Sequence, residues 1–255
     1  MNLKLVGDVA LVTGAGQGIG KQVALDMARA GAAVAVNDLN PDLADDSSRR
    51  ILKEGGRAVA VAGDVSQEEE VQDVVGRTQE HFGPVDILIN NAGISPKPGG
   101  TKTPVWAMDR GEWQRVVDVN LTGALLCCRA VTPGMVERRR GVIVFLSSQA
   151  AREYVDFVGC HYHATKAGLI GLAHALAGEL APYGVRACAV APGRIRTELT
   201  TNVPPEVNER FLSRVPMGTW GEPGDVSNAI LFLCSTAAGY LTGVTLDVNG
   251  GAWMS

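Results

Sequence analysis

No apolar run in this chain approaches the roughly 18 uninterrupted residues of a membrane span. The opening MNLKLVGDVALVTGAG breaks at Gly7 and Asp8, and no small-residue cleavage site follows it. A soluble, untargeted, cytoplasmic protein is therefore expected. Basic charge is scarce as well: 23 Lys and Arg against 27 Asp and Glu give a formal net charge of −4. Without a basic stripe to neutralise phosphates, nucleic acid is excluded as a partner. The one basic cluster, Arg138, Arg139 and Arg140, reads as a solvated helix end before a strand. The five cysteines, at 127, 128, 160, 188 and 234, form no C-x-x-C pair and no zinc-ligand spacing, so reduced thiols and no metal site are expected.

The chain of 255 residues does contain a regular alternation of short β-branched runs and helical patterns. The runs are VALVT (9–13), AVAVN (33–37), AVAVA (58–62), ILIN (87–90), VIVFL (142–146), RACAV (186–190) and VTLDV (244–248). They are almost wholly apolar rather than alternating, as in parallel strands covered on both faces. Ser66 with Glu69 matches a capping box, Asp109 with Glu112 nearly does, and Gly31 and Gly184 stand where helices should stop. These signals predict one domain over 1–255: a doubly wound, Rossmann-type α/β sheet of seven parallel strands with helices on both faces. Loops 93–108 and 192–207 are long and rich in Pro and Gly, and both should lie at the carboxyl edge of the sheet, where ligands bind in this architecture.

The first strand runs into TGAGQGIG, residues 13–20, and then into a helical pattern. Glycines at such a turn let the backbone approach a pyrophosphate, whose charge the free N–H groups and the helix dipole favour. Gly14, Gly18 and Gly20 are spaced G-x3-G-x-G. Asp38 closes the second strand, where a carboxylate accepts from the ribose hydroxyls of an adenosine and repels a 2′-phosphate. No lysine or arginine stands at 37 or 39, and Gln17 occupies the place of a possible basic residue, so NAD is expected over NADP.

TGAGQGIG, DV at 64–65, NNAG at 90–93, VN at 119–120, SS at 147–148, YHATK at 162–166 and PG at 192–193 occur in one order along almost the whole chain. In this the sequence resembles the short-chain dehydrogenase/reductase family, in the branch of 3-oxoacyl-ACP reductases and secondary-alcohol dehydrogenases. The resemblance implies a catalytic tetrad of Asn120, Ser148, Tyr162 and Lys166, with Ser147 turned into the sheet or toward a neighbouring helix. It places Asp64 and Val65 at the adenine and Asn91, Ala92 and Gly93 along its ribose side. Ile19 and Lys166 go to the nicotinamide ribose, and Pro192, Gly193, Ile195 and Thr197 to the carboxamide. Asn120 is implied to order a water that links the lysine to solvent. The family's helical pairing implies a homotetramer through 109–138 and 160–181.

Four-residue spacing stacks Tyr162 and Lys166 on one helix face. An ammonium about 4 Å from a phenol, at an effective dielectric near 20, is worth roughly 4 kcal/mol, or about three pKa units. Lys166 is therefore expected to lower the phenol toward the working range of a base that takes an alcohol proton as hydride leaves carbon. His161 and His163 project to either side and are assigned to packing or solvent. The substrate pocket is expected from 94–105, 149–159 and a lid over 198–217 that carries Glu198, Leu199, Val203, Arg210, Phe211, Leu212 and Met217. Arg152 is a candidate contact for an anionic substrate. The leading expectation is an NAD-dependent enzyme acting on a small-molecule secondary alcohol or ketone. The alternatives are an NADPH-dependent 3-oxoacyl-ACP-type reductase and a non-catalytic dinucleotide-binding sensor.

Overall fold

The computed structural model describes residues 3–197, 200 and 205–254. Glu198, Leu199 and Val203 of the expected lid lie outside the described residues. All seven apolar runs are strands: β1 (Val9–Val12), β2 (Ala33–Val36), β3 (Arg57–Ala60), β4 (Ile87–Asn90), β5 (Gly141–Leu146), β6 (Val185–Pro192) and β7 (Thr245–Val248). They pair in parallel in the order β3-β2-β1-β4-β5-β6-β7. The chain winds outward to β3, returns past β1 to β4 and winds the other way. A crevice opens at the carboxyl ends of β1 and β4, where that direction reverses.

Helices cover both faces: α1 (Gly18–Arg29), α2 (Pro41–Lys53), α3 (Glu68–Phe82), α4 (Arg110–Val117), α5 (Gly123–Arg138), α6 (Cys160–Leu180), α7 (Pro205–Leu212) and α8 (Pro223–Cys234). Successive strand residues point to opposite faces. Ala10, Val12, Ile87 and Ile89 accordingly join the core under α1, α2 and α8, while Leu11, Leu88, Ile143 and Phe145 join the one under α3, α5 and α6. The seven strands read as continuous apolar runs because both of these cores must be filled.

The helix signals hold unevenly. Asp109 caps α4 by accepting from Glu112 N–H at 2.9 Å, and Gly31 and Gly184 take positive φ just after α1 and after the turn that follows α6. The Ser66/Glu69 box does not form. Asp64 accepts from both the N–H and the hydroxyl of Ser66, so α3 begins later, with Gln67 as its cap. The arginine cluster does form an exposed helix end, with Arg138 the last residue of α5 and Arg139 and Arg140 on the surface, and it is also tied to neighbouring groups. Arg139 takes the left-handed conformation, Arg138 donates to Val85 O at 2.9 Å, and Arg140 pairs with Asp8. α4, a π-helical turn (Asp118–Thr122) and α5 run on as one helix of 29 residues whose length and hydropathy match a membrane span. Its Ala124, Cys127, Cys128, Val131 and Met135 are packed into the core.

Candidate active site

A cleft of about 870 Å³ follows the carboxyl edge of the sheet. At one end lies the glycine turn. Gly14 has φ +60, and a Cβ there would lie 2.9 Å from Ala92 Cα. A Cβ on Gly20 would lie 2.3 Å from Gly14 O, and one on Gly16 would lie 2.6 Å from Asp38 Oδ2. The turn thus closes only without side chains. Asn91 fastens it to β4, its Nδ2 donating to the carbonyls of Thr13 and Gly14 at 2.8 Å each. Gln17 is the α1 cap but offers no side-chain bond, and no acidic residue lies in the first turn. The N–H groups that open α1 at Gly18, Ile19 and Gly20 have no partner within the helix and suit an anion.

Asp38 is held by Gly16 N–H at 2.9 Å and Asn40 N–H at 3.0 Å. The cleft wall beside it is Asn37 and Leu39. Asn37 donates to the carbonyls of Val61 and Gly63, and its Oδ1 is buried with no protein partner, an acceptor suited to a ligand's donor. Asn37 is not among the expected site residues, and shows in the sequence only as a polar amide closing an apolar strand. Asp64, Val65, Ala92 and Gly93 line the same wall. Pro192, Gly193, Ile195 and Thr197 close the cleft from the β6 side, with Thr197 across from Gly18. Asn249 keeps the final turn by accepting from Gly251 N–H at 2.9 Å.

At the other end Ser148, Tyr162 and Lys166 meet. β5 and α6 are clasped by two bonds: Lys166 Nζ donates to Leu146 O, and Ser147 Oγ donates to Lys166 O, each at 2.7 Å. Ser147 is thereby turned toward α6. Ser148 is left to bond the Tyr162 hydroxyl and to accept from Ala150 N–H at 3.1 Å. Lys166 Nζ lies 5.5 Å from the Tyr162 ring centre. Asn120 does not line the cleft. From the π-helical turn it pairs with both backbone groups of Ile94 and donates to Thr165 Oγ1. It meets Lys166 around Gly93, where a Cβ would lie 3.3 Å from Asn120 Oδ1 and from Lys166 Nζ.

The electrostatics correct the expectation of a phenol acidified by its lysine. Burial raises Tyr162 above its ordinary value, and the Ser148 hydrogen bond offsets this in part. Burial also pushes Lys166 down to about 8. Desolvation penalises whichever form is charged, so it raises an acid and lowers a base. Four-residue spacing brings the two groups together, but packing α6 on the sheet buries both of them. The protein therefore holds a protonated phenol at neutral pH, the form of a proton donor.

The two histidines are structural. His161 is wholly buried and bonds Glu112 at 3.0 Å, while His163 bonds Ala150 O at 2.6 Å and stacks on Tyr154. Arg152 does not serve as an anion contact: it pairs with Asp247 at 3.3 Å and lies over Trp253.

Residues 14–252 match the family model described as enoyl-(acyl carrier protein) reductase. The chain is 38% identical over 250 residues to the 3-oxoacyl-[acyl-carrier-protein] reductase FabG of Staphylococcus epidermidis, covering 96% of this chain and 98% of the relative. A structure of a 3-oxoacyl-[acyl-carrier protein] reductase with bound NAD from Brucella melitensis superposes with TM-score 0.93 at 43% identity, covering 99% of this chain and 94% of that one. A 7α-hydroxysteroid dehydrogenase complexed with NADH and 7-oxo glycochenodeoxycholic acid gives TM-score 0.92 at 36% identity, over 98% and 96% of the two chains.

Gly20→Ala is expected to lower stability by about 1–3 kcal/mol through overpacking, and to weaken dinucleotide binding at least as strongly. Melting curves and a nucleotide titration check this. Wild-type values for both would contradict the closeness of the turn.

Proposed function

The chain belongs to the short-chain dehydrogenase/reductase family of oxidoreductases, and from that premise we propose that it interconverts a ketone and a secondary alcohol with NAD(H). The observation that carries the reading is the convergence of Ser148, Tyr162 and Lys166 at the end of a cleft whose opposite end is the glycine turn. When bound, the nicotinamide supplies or accepts the hydride. Gly14, Gly18 and the N-terminus of α1 would hold its pyrophosphate, and Asp38 its adenosine ribose. Ser148 positions the substrate oxygen, Tyr162 gives it a proton, and Lys166 supplies positive charge beneath the phenol.

A phenol kept protonated by burial suits the reducing direction, in which the carbonyl oxygen must gain a proton. The relatives move the substrate expectation from a general secondary alcohol toward the 3-oxoacyl alternative, so a 3-oxoacyl thioester is the substrate class we put first. NADPH, the cofactor half of that alternative, is disfavoured by Asp38 between Asn37 and Leu39, with no cation there to neutralise a 2′-phosphate. The relative with bound NAD supports the same choice. A non-catalytic sensor would have no use for the serine, phenol and ammonium together. The reading includes a homotetramer formed through α5 and α6, where Leu125 stands exposed.

Two variants test the proposal. Tyr162→Phe should lower kcat by roughly 10²–10⁴-fold, the usual worth of a positioned proton donor, while NADH still binds. Undiminished turnover of acetoacetyl thioesters and simple ketones would refute it. Asp38→Ala should weaken NADH and narrow its advantage over NADPH. A wild type that prefers NADPH would overturn the cofactor assignment.

A further inference from the structure

Beside the cleft, Tyr162 packs against an apolar cluster. Ala150, Val155 and Val158 form a buried cluster against which Phe157, Tyr162 and Phe211 pack. Phe157 and Phe211 meet edge to face at 4.6 Å. Two cations lie on this cluster. Lys97 Nζ is 4.7 Å from the Phe157 ring centre and Arg194 Cζ is 4.6 Å from it. Arg194 also lies 5.0 Å from Phe211 and 5.4 Å from Trp220, and donates to Thr200 O at 3.2 Å.

Three arginines near this cluster are matched to carboxylates. Arg152 pairs with Asp247, Arg210 with Asp156 and Arg214 with Glu153. Lys102, on the same loop as Lys97, donates to the Tyr154 hydroxyl at 2.8 Å and lies over its ring, so it already ties the two loops together. Lys97 differs. Among the described residues no carboxylate pairs with it, and its amine is held below the ordinary lysine value first by burial and then by the like charge of Arg194. A half-buried ammonium with no carboxylate partner among the described residues gains from an arriving anion. Two residues upstream Ser95 lines the cleft, and its Oγ is buried with no protein partner. A hydroxyl and an ammonium on one short segment match the donor needs of a carboxylate.

We propose that Lys97 and Ser95, beside Arg194 and over the Phe157–Phe211 pair, form a carboxylate subsite, so that the ketone or alcohol carried to Tyr162 bears a carboxylate on an aryl-sized apolar body. This deepens the proposed function and rests on it for the identity of the reacting end. The subsite itself is a binding claim and can be tested without turnover.

The test titrates the NADH-loaded protein with benzoate and with benzamide by ligand-observed NMR, and compares reduction of 4-acetylbenzoate with that of its methyl ester. In wild type, benzoate should bind about tenfold more tightly than benzamide, and the keto acid should have the higher kcat/KM. Lys97→Met, which still covers Phe157 with an apolar chain, should bring the two ligands within about threefold, as expected once the charge-assisted contact is gone. Lys97→Arg should keep most of the preference. Equal binding in wild type, or an unchanged ratio in Lys97→Met, overturns the subsite. If benzoate is preferred through Lys97 but no ketone or thioester is reduced, the subsite stands and the reaction assignment fails. If neutral ketones are reduced while benzoate and benzamide bind alike, the reverse holds.

Discussion

The clasp between the end of β5 and α6 decides the geometry of the whole site. Lys166 gives its ammonium to the Leu146 carbonyl, and Ser147 gives its hydroxyl back to the Lys166 carbonyl. Both bonds are buried, so neither donor can exchange its partner for water without cost. The clasp fixes how far α6 stands from the sheet. It also turns Ser147 inward and Ser148 outward, and it sets Tyr162 one helical turn above the ammonium. Asn120 adds a third element, since the π-helical turn brings its amide onto Ile94 and Thr165 beside the same lysine.

The clasp also explains the site's charge states. Burying an ammonium lowers its proton affinity and burying a phenol raises it, so both groups are pushed toward neutrality. A phenol that keeps its proton and a lysine that titrates not far above neutrality make a donor pair for carbonyl reduction. The glycine turn at the far end of the cleft is built on the opposite principle. There the backbone comes close because side chains are missing, and its free N–H groups offer positive potential without a titrating group.

Much of this could be read from the sequence because it is local. Apolar runs gave the seven strands, and the glycine spacing with Asp38 placed the turn at the right strand end. What could not be read depends on groups distant in the chain. Ser66 looked like a cap until Asp64 took both of its donors. Spacing alone made Lys166 an acidifying neighbour, because burial of the pair arises only when α6 packs on the sheet. Arg152 looked free to meet an anion, but its partner Asp247 lies 95 residues away. Nothing in the loop of Lys97 reveals that Phe157 and Arg194 come to meet it.

The central claim, a buried ammonium under a protonated phenol, is tested most directly by following the Lys166 amine with pH by heteronuclear NMR on lysine-labelled protein, assigned with Lys166→Met. The account predicts a midpoint near pH 8, with the ammonium present below it and lost above. A midpoint at the ordinary lysine value of about 10.4 would show a solvated side chain and contradict it.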